Sequence, residues 1–366
     1  MRISVKHKFS ETVKYLHAVA GKLQTHPMRT INEVESLGAE VFHEQVLPAA
    51  EPLVIRGIVK NWPLVQAGLR SDEEFCAHLK NFDRGYPVDT AQSPPSTGGR
   101  IFYNEDLSGL NCRMTQASLS GSLDFLLQQR ENEKPSTLAV QSVIVNRFLP
   151  GLEEELRLPP GLVPNDTGPR IWLGNRATIA AHYDPSENIA CCVAGTRRFT
   201  LFPPEQVTNL YIGPFEITPS GATVSMVDFD QPDPDRFPRF ERALEAARQA
   251  VLEPGDAIYI PYLWWHHVQA LAPINGLVNY WWSPIPDVLG DPRNVLAHAM
   301  LSFRALPHAY RDAWRAMFEH YVFGDSGDTK DHIPPERHGI LGQLKPAEVK
   351  RIKQALSQAL SRDTSG

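Results

Sequence analysis

The strongest constraint on this chain is a run of short β-type segments between residues 136 and 286, separated by proline- and glycine-rich connections. Residues 138–145 and 171–173 are strand-like. Residues 188–193 and 197–202 flank Ala194-Gly195-Thr196 and read as a hairpin with glycine at the turn. Residues 257–260, 266–271 and 277–281 add three more strands. Several short strands with such punctuation predict a barrel or a double-sheet jelly roll. The 31 prolines suit its many turns and edge positions.

The flanks read differently. Residues 1–30 form a helical arm, with Phe9, Val13, Tyr15, Leu16 and Val19 as a loose stripe. Residues 31–135 mix short helices with one clear strand, 52–56, closed by Gly57, and a turn-rich loop at 93–99. After residue 287 the pattern is helical. Ala309, Tyr310, Ala313, Trp314, Met317, Phe318 and Tyr321 recur at spacings of three and four. So do Val349, Ile352, Leu356, Ala359 and Leu360. The expected organisation is mainly β: an N-terminal helical arm and α/β extension (1–135), a β core (136–286) and a C-terminal helical region (287–366). Two apolar helix faces are hard to cover within one chain, which predicts a homodimer.

Composition excludes several classes. Hydrophobic residues at 42 % and charged residues at 21 % are globular values. A net charge of −6 lacks the basic excess of a general nucleic-acid binder. No apolar run approaches the roughly 18 residues of a membrane span, and the charged N-terminus has no signal-peptide core. Cys76, Cys112, Cys191 and Cys192 do not make a disulfide framework at this length, so the expectation is reduced, buried thiols in a cytoplasmic protein.

Thirteen histidines are spread along the chain, and two places stand out. One is His182-Tyr183-Asp184, where strand alternation would point His182 and Asp184 the same way. The other is Pro254-Gly255-Asp256, followed by Pro261 and by Trp264-Trp265-His266-His267. Two histidines and a carboxylate make a facial triad that leaves positions open and suits non-haem Fe(II) oxygen chemistry. Zinc is also compatible with these ligands, but it does no redox chemistry.

The motifs His182-Tyr183-Asp184, Asn188 with Gly195-Thr196-Arg197, Val227-Asp228-Phe229-Asp230, Pro254-Gly255-Asp256, Trp264-Trp265-His266 and Asn279-Tyr280-Trp281 resemble the JmjC/cupin-8 family. The pattern is similar in particular to the asparaginyl hydroxylase that inhibits the hypoxia-inducible factor. The resemblance implies a double-stranded β-helix of jelly-roll or cupin type and an Fe(II)- and 2-oxoglutarate-dependent oxygenase, a hydroxylase or a demethylase. It implies His182, Asp184 and His266 as iron ligands, with His266 preferred to His267. Asn188 and Asn279 fall near the C1 carboxylate of 2-oxoglutarate. Arg197 falls where the hydroxylase has a lysine for the C5 carboxylate, and a guanidinium fork suits a carboxylate. O2 and 2-oxoglutarate are then the co-substrates, and the substrate is a protein side chain first, a small molecule or an RNA base next. The C-terminal helices fall where the family has its dimerisation helices. Three departures stand out. Ile179, with Thr178 beside it, replaces a family threonine; Ala139 replaces a tyrosine; and Thr223 and Val224 replace an Arg-Gln pair that contacts the substrate asparagine. The other readings are a non-catalytic cupin-like dimer that binds a ligand or partner, and a cupin enzyme that uses no keto-acid.

Overall fold

The alternating apolar segments pair into two facing sheets in the computed structural model, which describes residues 28–219, 221–283, 285–286, 289–325 and 329–362. The expected arm at 1–30 falls almost wholly outside them. In chain order the strands are β1 (Arg29–Thr30), β2 (Asn32–Val34), β3 (Leu53–Ile55), β4 (Pro87–Ser93), β5 (Arg100–Ile101), β6 (Arg113–Ser118), β7 (Thr137–Ile144) and β8 (Pro169–Gly174). They continue as β9 (Thr178–His182), β10 (Glu187–Ala194), β11 (Arg197–Phe202), β12 (Arg248–Leu252), β13 (Ala257–Ile260), β14 (Trp265–Ala270) and β15 (Asn275–Trp282). The larger sheet has the order β2-β3-β13-β10-β15-β8-β7-β4-β6 and the smaller one β1-β12-β11-β14-β9-β5. This is the expected jelly roll with helical additions.

Strand parity decides what each face buries. On the larger sheet Leu138, Val140, Ile171, Leu173, Ile189, Cys191, Val278 and Tyr280 point away from the smaller sheet. They form the main core with Leu64, Val65, Phe75, Leu79, Leu119 and Leu123 from the helices Pro63–Arg70, Asp72–Lys80 and Leu119–Gln129. The alternate positions face the space between the sheets. There Ala190, Cys192, Ile258, Ile260 and Leu277 meet Phe199, Leu201, Ala250 and Val268 of the smaller sheet. The smaller sheet's other face is also covered: Phe202, Trp265 and Ala181 pack under Leu210, Phe237 and Phe240.

The expected boundary near 135 is one of composition, not of packing. β3 pairs with β13, and β4 pairs with β7, so the N-terminal segment completes the larger sheet. The chain divides instead at 283/284, into Met1–Ser283 and Pro284–Gly366. The second unit is helical, with Pro292–Phe303, His308–Phe318 and Pro346–Arg362. The latter two carry the expected stripes, while the first was not anticipated.

Candidate metal centre and ligand cavity

His182 is the last residue of β9, and His266 pairs with it across β14. Asp184 lies beyond the strand end, so strand parity, the expected reason for its position, does not place it. The loop does: the Asp184 carbonyl accepts from the Leu263 amide at 3.2 Å, which ties the residues after β9 to the turn before β14. The outcome is the expected cluster. One ligand atom from each of His182, Asp184 and His266 lies within 4.8 Å of the others. The two imidazole centroids are 4.2 Å apart, and His266 Nε2 is 3.6 Å from Asp184 Oδ2.

Each imidazole is oriented from behind. His182 Nδ1 is 2.9 Å from the Ala180 carbonyl, and His266 Nδ1 is 3.1 Å from the Trp264 carbonyl. A carbonyl can only accept, so it selects the tautomer that leaves Nε2 with its lone pair. Burial, with His182 alongside, pushes the His266 pKa down to about 4, which keeps the ring neutral and able to ligate. His267 points to the opposite face, as expected. It pairs with Thr200 and stacks on Phe229 at 4.3 Å, and burial lowers its pKa to about 3.

The three groups open onto a cavity of about 120 Å³ between the sheets, also lined by Asn188, Arg197 and Asn279. Asn279 Nδ2 donates to Asn188 Oδ1 at 2.8 Å. Arg197 is four residues along β11 from Leu201, the residue opposite His266, about 13 Å at strand rise. Arg197 is buried with Phe199 on the cavity face, and its Nε has no hydrogen-bond partner. No carboxylate acts on it among the described residues. Burial lowers its pKa to about 10, which still leaves it charged at neutral pH. A buried cation without an anion is costly. Arg198 points the other way and donates to Gln269 Oε1 at 3.3 Å.

The donor set fits a borderline divalent metal, and the orphaned guanidinium fits an anion held at the deep end of the cavity. The departures become apolar wall. A bulge between His182 and Ile179 in the β9–β14 ladder brings Ile179 onto the cavity face, and Thr178 is absent from the lining. Ala139 and Val224 also line it, while the Thr223 hydroxyl is buried without a partner. Of the four tryptophans flanking these motifs, Trp281 alone lines the cavity. Trp265 packs on Tyr183, Trp264 donates to the Ala50 carbonyl, and Trp282 packs on Phe42. Gln141 and Trp172 also line it. Sequence reasoning missed both, although each alternates with core residues, Gln141 with Val140 and Trp172 with Ile171 and Leu173.

Residues 39–288 match the family described as cupin-like domain. Among curated proteins the chain is 28 % identical over 275 residues to Jumonji C domain-containing protein 5 of Drosophila melanogaster, covering 67 % of this chain and 66 % of the relative. It is 25 % identical over 263 residues to lysine-specific demethylase 8 of Danio rerio, covering 70 % and 59 %. It is 29 % identical over 160 residues to tRNA wybutosine-synthesizing protein 5 of Danio rerio, covering 41 % and 44 %. The matches therefore span less than two thirds of the length of these relatives.

Proposed function

The chain belongs to the cupin-like domain family, and from that premise we propose that it is an Fe(II)- and 2-oxoglutarate-dependent oxygenase that hydroxylates a protein side chain. The observation that carries this reading is the buried, unpaired Arg197 in the same cavity as the His182, Asp184 and His266 cluster. A metal site alone would need no cation deep in an apolar pocket. A dicarboxylate whose other end reaches a metal needs both.

In this reading His182 and His266 present Nε2 and Asp184 a carboxylate oxygen to iron. When bound, iron supplies the redox chemistry that couples oxidative decarboxylation of 2-oxoglutarate to oxidation of a C–H bond by O2. Arg197 grips the C5 carboxylate with its planar fork, a charge-assisted contact of about 1.5–3 kcal/mol. Asn279 is held by its bond to Asn188, and the pair offers amide hydrogens to the C1 carboxylate. Ile179, Phe199, Val268 and Leu277 keep water from the aliphatic middle of the keto-acid. Two relatives are named for a lysine-specific demethylase and for tRNA wybutosine synthesis, which supports an oxidation at either a side chain or a base. The side chain is preferred because the chain's net charge of −6 does not favour RNA. Two copies pair through the C-terminal helices.

The test follows metal binding and succinate release by the full chain given Fe(II), 2-oxoglutarate and O2. Asp184→Ala should weaken metal binding by about 100-fold or more, since even indirect supports of metal ligands cost 10–100-fold, and should abolish turnover. His267→Ala should still bind metal. Normal turnover in Asp184→Ala would refute the ligand set.

A further inference from the structure

One cation beside the cavity has no task in this reading. Arg170 of β8 lies directly opposite Asn279 of β15, and opposite residues of an antiparallel pair share a face. Asn279 lines the cavity, so Arg170 points to the space between the sheets. Its neighbour along the same face, Trp172, lines the cavity, whereas Ile171 and Leu173 are in the core on the other side.

The contacts of Arg170 all come from the cavity wall or its edge. Nη1 donates to Ser142 Oγ at 3.1 Å, and the guanidinium carbon lies 5.8 Å from the centre of the Trp281 ring. Ser142 is placed for this by an unusual backbone: φ is +48°, within a register shift between Val140 and Val143 in the β7–β8 ladder. Bulges of this kind re-aim a side chain beside a functional site, and a non-glycine residue at positive φ costs free energy. One hydroxyl satisfies one of five guanidinium donors.

Four other partly buried arginines meet acids, Arg56 with Asp256 and Glu33, Arg100 with Asp228, Arg130 with Glu73 and Arg248 with Glu51, while Arg198 meets the neutral amide of Gln269. Arg170 meets no acid among the described residues. The wall around it leaves two donors and one neutral acceptor unpaired, the acceptor being Asn279 Oδ1 on the residue opposite Arg170. The indole nitrogens of Trp172 and Trp281 are buried without partners, and Asp184, already assigned to the metal cluster, is the one carboxylate in the lining.

We propose that Arg170 is a specificity-determining residue and that the substrate carries an oxyanion, a carboxylate or a phosphate, close to the carbon to be oxidised. The anion would lie against the guanidinium edge while the Trp281 face supports the plane. This rests on the oxygenase reading only in so far as the oxidised carbon must approach the metal cluster.

The experiment loads the full chain with Mn(II) and 2-oxoglutarate without O2 and records both binding events first. It then titrates with N-acetylglutamate amide, N-acetylphosphoserine amide and the neutral N-acetylglutamine amide, following tryptophan fluorescence and heat. At least one charged probe should bind tenfold or more tighter than the neutral one, and whichever does so identifies carboxylate or phosphate. That preference should vanish in Arg170→Gln and survive in part in Arg170→Lys. An arginine that only braces the bulge would lower the melting temperature of Arg170→Gln and leave the charge preference intact, which overturns the proposal. Equal binding of charged and neutral probes, or no binding of any, also overturns it. If the wild type binds neither Mn(II) nor 2-oxoglutarate, the oxygenase reading fails. The same titrations of unloaded Arg197→Ala, with and without Arg170→Gln, then decide the role of Arg170 separately.

Discussion

Glu187 illustrates how a single side chain links this fold to pH. It is 8 % exposed, and its carboxylate accepts from the Tyr259 hydroxyl at 2.6 Å and the Tyr262 amide at 3.3 Å. Burial outweighs both bonds and raises its pKa. The unfolded chain therefore releases this proton first, near pH ~4.3, and the folded chain only at higher pH. The contribution of Glu187 to stability is complete below that unfolded value and is lost as pH rises through the raised folded value. Glu187→Gln should remove this slope, so its melting temperature should gain on the wild type as pH rises from 4 to 8. Identical profiles would mean that the carboxyl is ionised at no cost. Arg197 is the counterpart at the cavity: Arg197→Ala should raise the KM for 2-oxoglutarate at least tenfold, with Arg197→Lys partly restoring it, and an unchanged KM would place the keto-acid elsewhere. Arg197 was legible in the sequence because an arginine alternating with Phe199 and Leu201 breaks an apolar face. His182 and His266 were legible from their motifs. Asp184 does lie in one cluster with the two histidines, but a loop contact rather than strand alternation positions it. Arg170 was overlooked because a single arginine next to a short apolar run looks like a solvated strand end.

The Pro254-Gly255-Asp256 turn was singled out for its place before the histidine, but its work is to join elements. Asp256 accepts from the Gly57 amide at 2.9 Å, the Glu253 amide at 3.1 Å and Arg56 Nη1 at 2.6 Å, so it clamps the end of β3 to the start of β13. Gly255 has φ +105°, and an added Cβ would sit 3.0 Å from Lys60 Cα, so the close approach of the two segments requires glycine. Asp256→Asn should therefore destabilise the fold by about 2 kcal/mol, because its amide cannot accept from both sides as the carboxylate does. A denaturant midpoint equal to wild type would show that the clamp carries no stability. The central strands were readable because both of their faces are buried, which leaves apolar runs such as 188–193 and 257–260. β6 was not, since four of its six residues are exposed and its sequence is polar. β12 and β9 were hidden by short length and by charged or small residues at the sheet margins. Edge strands gain their order from a neighbour already in place, a long-range cause that local composition does not record.

At the scale of the whole molecule, the second unit has apolar stripes with little of its own to cover them. Pro292–Phe303 and His308–Phe318 contain no buried residue, and among the described residues of the unit only Thr329 and Val349 are buried. Tyr310 is 62 % exposed, Trp314 46 % and Leu356 59 %. The sequence periodicity located two of these three helices, and it also located the faces that remain open. A helix that does not bury its apolar face gains little from tertiary packing, and an isolated one is marginal in water at this length. Extended exposed apolar surface on a folded unit marks an interaction site, and a second copy supplies an identical stripe at equal concentration, which a two-fold axis can align with the first. Light scattering of the intact chain at micromolar concentration should therefore report twice the chain mass. The full-length double variant Trp314→Glu with Leu356→Glu should scatter as a monomer, because a paired interface would have to bury two new charges from each copy without partners. An intact chain that is monodisperse as a monomer would refute the pairing, and a double variant that remains a dimer would move the interface away from these helices.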